Sequence, residues 1–134
     1  MSTRLLLVDG SPDFLRSTAR FLSTVVGVEV VGCASSSRDG LEQVRRVRPD
    51  LVLIDVTMRD LSGIEATRRI KAEAEPPLVV VTTLYDESRY RDKAEAAGAD
   101  AVVAKPDLGT RLVPIIRQLV STRLPTARAA HGND

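Results

Sequence analysis

Five short, largely apolar runs, each followed by an amphipathic stretch, limit what this chain can fold into more than any other feature of its sequence. They are Leu5–Val8, Val28–Ala34, Leu51–Ile54, Leu78–Val81 and Ala101–Ala104. A strand with one wet face alternates apolar and polar residues, so runs this uniformly apolar suit a parallel sheet covered on both sides. Parallel strands need crossovers, and the amphipathic stretches supply them as helices. The pattern predicts an α/β fold of five βα units.

The helix signals are local. Ser11 is placed to cap a first helix with Pro12 at its first position and Asp13 in its positive first turn; Phe14, Leu15, Phe21, Leu22 and Val25 form its apolar face. A second helix is expected over about residues 38–47, burying Leu41, Val44 and Val47 and stopped by Pro49. Ser62 and Glu65 fit a capping box opening the third, which buries Ile64 and Ile70 and frays before Pro76 and Pro77. The fourth, over about residues 86–97, has a thin apolar face and ends at Gly98, a good left-handed cap. The fifth shows Leu112, Ile115, Ile116 and Leu119. Pro114 is expected in its first turn, because an interior proline costs about 3 kcal/mol. Residues 1–122 then form one domain, and residues 123–134, which carry His131 and no apolar period, are expected to be disordered.

Several function classes are disfavoured by bulk properties. Nineteen Lys and Arg against eighteen Asp and Glu leave a net charge of +1, a poor basis for general nucleic-acid or polyanion binding. With no Trp and four Phe plus Tyr, there are too few aromatics for a base-stacking surface. The single cysteine, Cys33, excludes an internal disulfide and reads as a small buried strand residue. No apolar run reaches the ~18–20 residues of a membrane span and no signal-peptide pattern opens the chain, so a cytoplasmic setting without membrane contact is expected. No Gly-rich phosphate loop follows any strand.

Chemistry in an open parallel sheet gathers beyond the carboxyl ends of the strands. The residues there are Asp9, Asp55, the pair Thr82 and Thr83, and Lys105. An acid after a strand often only caps the next helix, and that reading is open for Asp9. It explains Asp55 poorly, because the following helix starts near Ser62. Taken together, two carboxylates, a hydroxyl and an ammonium suit phosphoryl transfer to a carboxylate. Asp55 would be the nucleophile and phosphoacceptor. Mg²⁺ held by Asp9, Asp55 and the backbone carbonyl of Thr57 would neutralise phosphoryl oxygens. Lys105 would pair with one oxygen and Thr82 would donate to another.

The stretches "LLLVDG", "LVLIDVTM", "LSGIEATRRI", "PPLVVVTT" and "AGADAVVAKP" resemble, in order and spacing over about residues 4–120, the receiver domain of two-component response regulators. The segment from Glu29 to Asp50 and the "GIEATRRI" stretch look most like receivers of LuxR-type regulators, whose usual helix-turn-helix domain has no room in 134 residues. The resemblance implies a doubly wound, flavodoxin-like (βα)5 fold of strand order 2-1-3-4-5. It also implies Asp55 as phosphoacceptor for a sensor histidine kinase, Asp9 in an acidic pocket, Thr82 as switch hydroxyl and Lys105 as the ammonium. Output would pass to a downstream protein or a second copy through helix four, strand five and helix five. The chain would not itself be an enzyme.

Departures from the family pattern are as informative. Gly10 stands where a second acid usually binds Mg²⁺ directly, so weak metal binding is expected. Asp13 could reach in instead, although its helix-dipole role is the simpler account. Arg59 and Asp107 replace a common proline and phenylalanine, and Val102 replaces the aromatic that swings with the threonine. The alternative function is a phosphorylation-independent pseudo-receiver serving interaction or dimerisation. A phosphatase using Asp9 as nucleophile, of the haloacid dehalogenase type, would want a second Asp where Ser11 stands.

Overall fold

The five apolar runs become five parallel strands in one sheet of order β2-β1-β3-β4-β5. In the computed structural model, which describes residues 2–132 with side chains as far as Arg123, β1 (Thr3–Val8), β2 (Val28–Ala34), β3 (Leu51–Asp55), β4 (Leu78–Thr83) and β5 (Ala101–Ala104) alternate with helices. The helices are α1 (Pro12–Leu22), α2 (Ser37–Val47), α3 (Gly63–Lys71), α4 (Glu87–Ala96) and α5 (Leu108–Gly132), with one 3₁₀ turn over Lys105–Asp107 before α5. The tail expected over residues 123–134 overlaps α5, whose backbone runs to Gly132; the side chains after Arg123, His131 included, lie outside the described residues. Among the described residues no helix is long and apolar enough to cross a membrane.

Two apolar layers explain the uniform runs. Leu6, Val8, Val52, Ile54, Val79, Val81 and Val102 pack against Val44 of α2, Ala66 and Ile70 of α3 and Ala94 of α4. Leu5, Leu7, Leu51, Leu53, Val80 and Val103 face Leu15 and Leu22 of α1 and Leu112 and Ile116 of α5. Successive side chains therefore alternate between two cores rather than between core and water. Each fully buried Leu or Val contributes about 1.5–3 kcal/mol.

The caps form largely as the sequence suggests. Ser11 Oγ accepts the Phe14 N–H at 3.2 Å with Pro12 opening α1, and α2 closes at Arg48, left-handed at φ 52°, just before Pro49; its start at Ser37 is held by a Ser36 cap not foreseen in the sequence. Gly98, at φ 101°, ends α4 in a Schellman turn in which its own N–H reaches Glu95 and that of Ala99 reaches Ala94.

Four expectations are corrected. Only half of the α3 capping box exists: Ser62 Oγ accepts the Glu65 N–H at 3.1 Å, while the Glu65 carboxylate turns to Arg68 and Arg69. Phe21 is 37% exposed, and Val25 lies beyond the end of α1. Cys33 is exposed, because β2 is an edge strand whose pairing with β1 slips after Leu5. Pro114 sits in the second turn of α5, since the helix starts at Leu108; burial of Leu108 and Leu112 outweighs the missing proline N–H.

Candidate functional site

Parallel register brings the strand-end residues together. Asp55 closes β3 opposite Thr82 of β4, and the Val56 N–H continues that ladder to the Thr82 carbonyl at 2.9 Å. Asp9 follows β1, its N–H bonded to the Ala34 carbonyl of β2 at 3.0 Å. Lys105 opens the 3₁₀ turn after β5. Close approach of α3 to this edge requires Gly63: a Cβ there would lie 2.0 Å from the Asp55 carbonyl oxygen.

The side chains converge at the carboxyl edge of the sheet and are mostly buried there. The Lys105 ammonium lies 2.7 Å from Asp9 Oδ2 and 3.4 Å from Asp55 Oδ2. Side-chain exposure is 11% for Lys105, 3% for Asp9 and 10% for Asp55. Asp9 Oδ1 accepts the Ser11 N–H at 2.9 Å, so Asp9 braces the turn while Ser11 caps α1. Asp55 Oδ1 accepts the Thr57 N–H at 3.4 Å. Two carboxylates thus share one ammonium. Burial pushes the Asp55 carboxyl above its ordinary range; Lys105 opposes that shift and the Asp9 charge adds to it.

The threonines divide their work. Thr83 Oγ1 accepts the Tyr85 N–H at 3.0 Å and is committed to the β4–α4 loop. Thr82, 1% exposed, has a hydroxyl with no hydrogen-bond partner. Asp9 Oδ2 is the other such buried oxygen among the described residues, because the Lys105 approach is close in distance without hydrogen-bond alignment. A buried polar atom without a hydrogen-bond partner calls for an explanation, and a bound ion or ligand is one that fits both of these.

That donor set fits Mg²⁺. Among the described residues no group of three or more Asp, Glu, His or Cys could hold a metal, but Mg²⁺ commonly takes one or two carboxylates and fills the rest with water and phosphate. Asp9 and Asp55 would hold it with the Thr57 carbonyl. Asp13 does not reach the site: it is exposed and pairs with Arg16. Gly10 is exposed, and a side chain there would meet nothing within 4 Å, so the missing acid is not imposed by packing.

Two neighbours escaped the sequence reading. Phe14, assigned only to the apolar face of α1, carries the Lys105 ammonium over its ring at 4.3 Å. Its spacing five residues after Asp9 is no recognisable signal. Glu87 accepts the backbone N–H of Ala104, the residue before Lys105, at 3.2 Å. Arg59 and Asp107 are exposed, and Val102 is 2% exposed inside the sheet core.

The family model of the response regulator receiver domain matches residues 5–117. The chain belongs to the response regulator receiver family. This receiver is 41% identical over 104 residues to protein-glutamate methylesterase/protein-glutamine glutaminase 3 of Anaeromyxobacter dehalogenans, covering 77% of the chain and 30% of that protein. It is 30% identical over 118 residues to the response regulator protein VraR of Staphylococcus saprophyticus, covering 88% of the chain and 56% of that protein. The chain thus spans between 30% and 56% of the length of these relatives. Among solved structures it resembles a LuxR-family two-component response regulator from Aurantimonas sp. SI85-9A1, with a TM-score of 0.85 at 29% identity over 92% of this chain and 88% of that one. The receiver of the response regulator NarL from Mycobacterium tuberculosis gives 0.84 at 25% identity, covering 91% and 98%. The doubly wound, flavodoxin-like fold expected from the sequence is the one observed.

Proposed function

We propose that this receiver takes a phosphoryl group from a histidine kinase onto Asp55 and relays the signal through a changed protein-binding face. The observation that supports this most is the unpartnered Thr82 hydroxyl, buried in register beside Asp55 with the Lys105 ammonium 3.4 Å from the same carboxylate. An Asp55 oxygen would attack phosphorus as the bond to the donor imidazole breaks, leaving an acyl phosphate. Lys105 and Thr82 would then take separate phosphoryl oxygens, and Mg²⁺ would supply charge neutralisation while bound. Metal binding is weak in this reading, because Gly10 adds no carboxylate and Lys105 already neutralises Asp9. Output goes to a downstream protein or a second copy through α4, β5 and α5, in the cytoplasm, with no nucleic-acid or membrane contact by this domain. The chain acts as a signalling module rather than as a turning-over enzyme. Acetyl phosphate with Mg²⁺ should add one phosphate by intact mass, and Asp55→Asn should abolish it; an unmodified wild-type protein at high Mg²⁺ contradicts the proposal.

One observation favours a second reading, a pseudo-receiver that works without phosphorylation: the Lys105–Asp9 pair is already closed at 2.7 Å beside a glycine. Beryllofluoride, which mimics an acyl phosphate, separates the two. Unchanged amide shifts from Thr82 to Lys105 would select the pseudo-receiver.

A further inference from the structure

α4 is attached to the body by few apolar contacts. Of its own residues only Ala94 is buried, with Tyr90 partly so against the core. A polar attachment stands in their place. The Glu87 carboxylate, 14% exposed, accepts the Ala104 N–H at 3.2 Å and the Arg111 guanidinium on Oε1, and the Arg91 guanidinium at 2.7 Å on Oε2. One side chain thereby joins the first turn of α4 to the end of β5 and to α5.

Solvent-exposed ion pairs alone would carry little weight, and both arginines are nearly half exposed. What distinguishes this cluster is the backbone N–H of Ala104, a charge-assisted bond to a mostly buried carboxylate. Ala104 immediately precedes Lys105 and lies in register with Thr83, the neighbour of Thr82. Movement of the Lys105 backbone toward a new anion on Asp55 would pull on the adjoining Ala104 N–H and so on Glu87. Val102 offers no comparable moving part, being buried in the sheet core and stiff about χ1.

We infer that Glu87 is the positioning residue that couples the Asp55 pocket to the α4 and α5 faces, through its bonds to Ala104, Arg91 and Arg111. This rests on phosphorylation of Asp55 for its signal, but the linkage itself belongs to the resting protein. Charge drawn toward Asp55 shifts Ala104, and the α4 segment, thinly held, changes its population of positions in response.

The test is NMR on the full chain, with beryllofluoride and Mg²⁺ as the probe. In resting protein, Glu87→Ala should speed Ala104 amide exchange at least about tenfold relative to the global unfolding limit, and Glu87→Gln, which keeps an acceptor oxygen, should restore protection. On adding the probe, wild type should show amide shifts at Val56 and Thr57, at Ala104, and across residues 87–96 and 108–116. In Arg111→Gln the pocket shifts should remain while those of 108–116 fall at least about twofold. Ala104 exchange unaffected by Glu87→Ala overturns the inference. So does a wild-type response that stops at the pocket, or one of full size in α4 and α5 of both Glu87→Ala and Arg111→Gln. A wild-type pocket that does not respond contradicts the phosphorylation reading, whereas the Ala104 exchange result still decides the linkage.

Discussion

At the scale of single residues, the pocket holds one negative charge more than it can pair. Asp9 and Asp55 share the Lys105 ammonium, and burial raises the Asp55 carboxyl above its ordinary 3.8. A folded-state pKa above the unfolded one favours the protonated form. That contribution to stability is fully present below about pH 3.8 and is lost as pH rises through the raised value. Asp55→Asn, measured without divalent metal, should therefore raise Tm at pH 7 by a few degrees, readable by thermal unfolding. The gain should vanish near pH 3, and a gain independent of pH would contradict it. Gly10 supplies the complementary experiment. Open space at its Cβ means Gly10→Asp should fold normally and raise Mg²⁺ affinity at least about tenfold by calorimetric titration; unchanged affinity would place the weakness elsewhere.

At the scale of elements, what was legible in the sequence followed from local physics. Ser11 and Ser62 cap helices because short polar side chains can reach the first free N–H groups, and apolar runs became strands because both of their faces are covered. The expectations that failed needed tertiary information. Burial at Leu108 and Leu112 carried α5 past a proline, an edge position exposed Cys33, and Phe21 is 37% exposed instead of joining the apolar face of α1. In the site, Asp9, Asp55, Thr82 and Lys105 could be found from strand ends, whereas Phe14 and Glu87 could not, since both act across elements distant in the chain. Gly63 combines the two kinds of information. As a turn-type residue before a helix it is unremarkable in sequence, yet the Asp55 carbonyl occupies the space its Cβ would need. Gly63→Ala should cost about 1–3 kcal/mol in urea unfolding, and a neutral result would mean that α3 can withdraw freely from β3.

At the scale of the molecule, a doubly wound sheet uses two buried layers to hold four chain positions, up to 96 residues apart between Asp9 and Lys105, at one rim. The sheet below is held by both layers, whereas α4 at the rim buries only Ala94 of its own residues. The second core layer, shared by α1 and α5, also supports Phe14 and so the ammonium above it. The central claim is that this rim accepts phosphate at one carboxylate, and borohydride trapping tests it most directly. Acyl phosphates are reduced by borohydride to alcohols, so treatment with acetyl phosphate and Mg²⁺ followed by reduction should convert Asp55, and no other residue, to homoserine in peptide mass mapping. Homoserine at Asp9 instead, or none at all with the protein folded, would contradict the account.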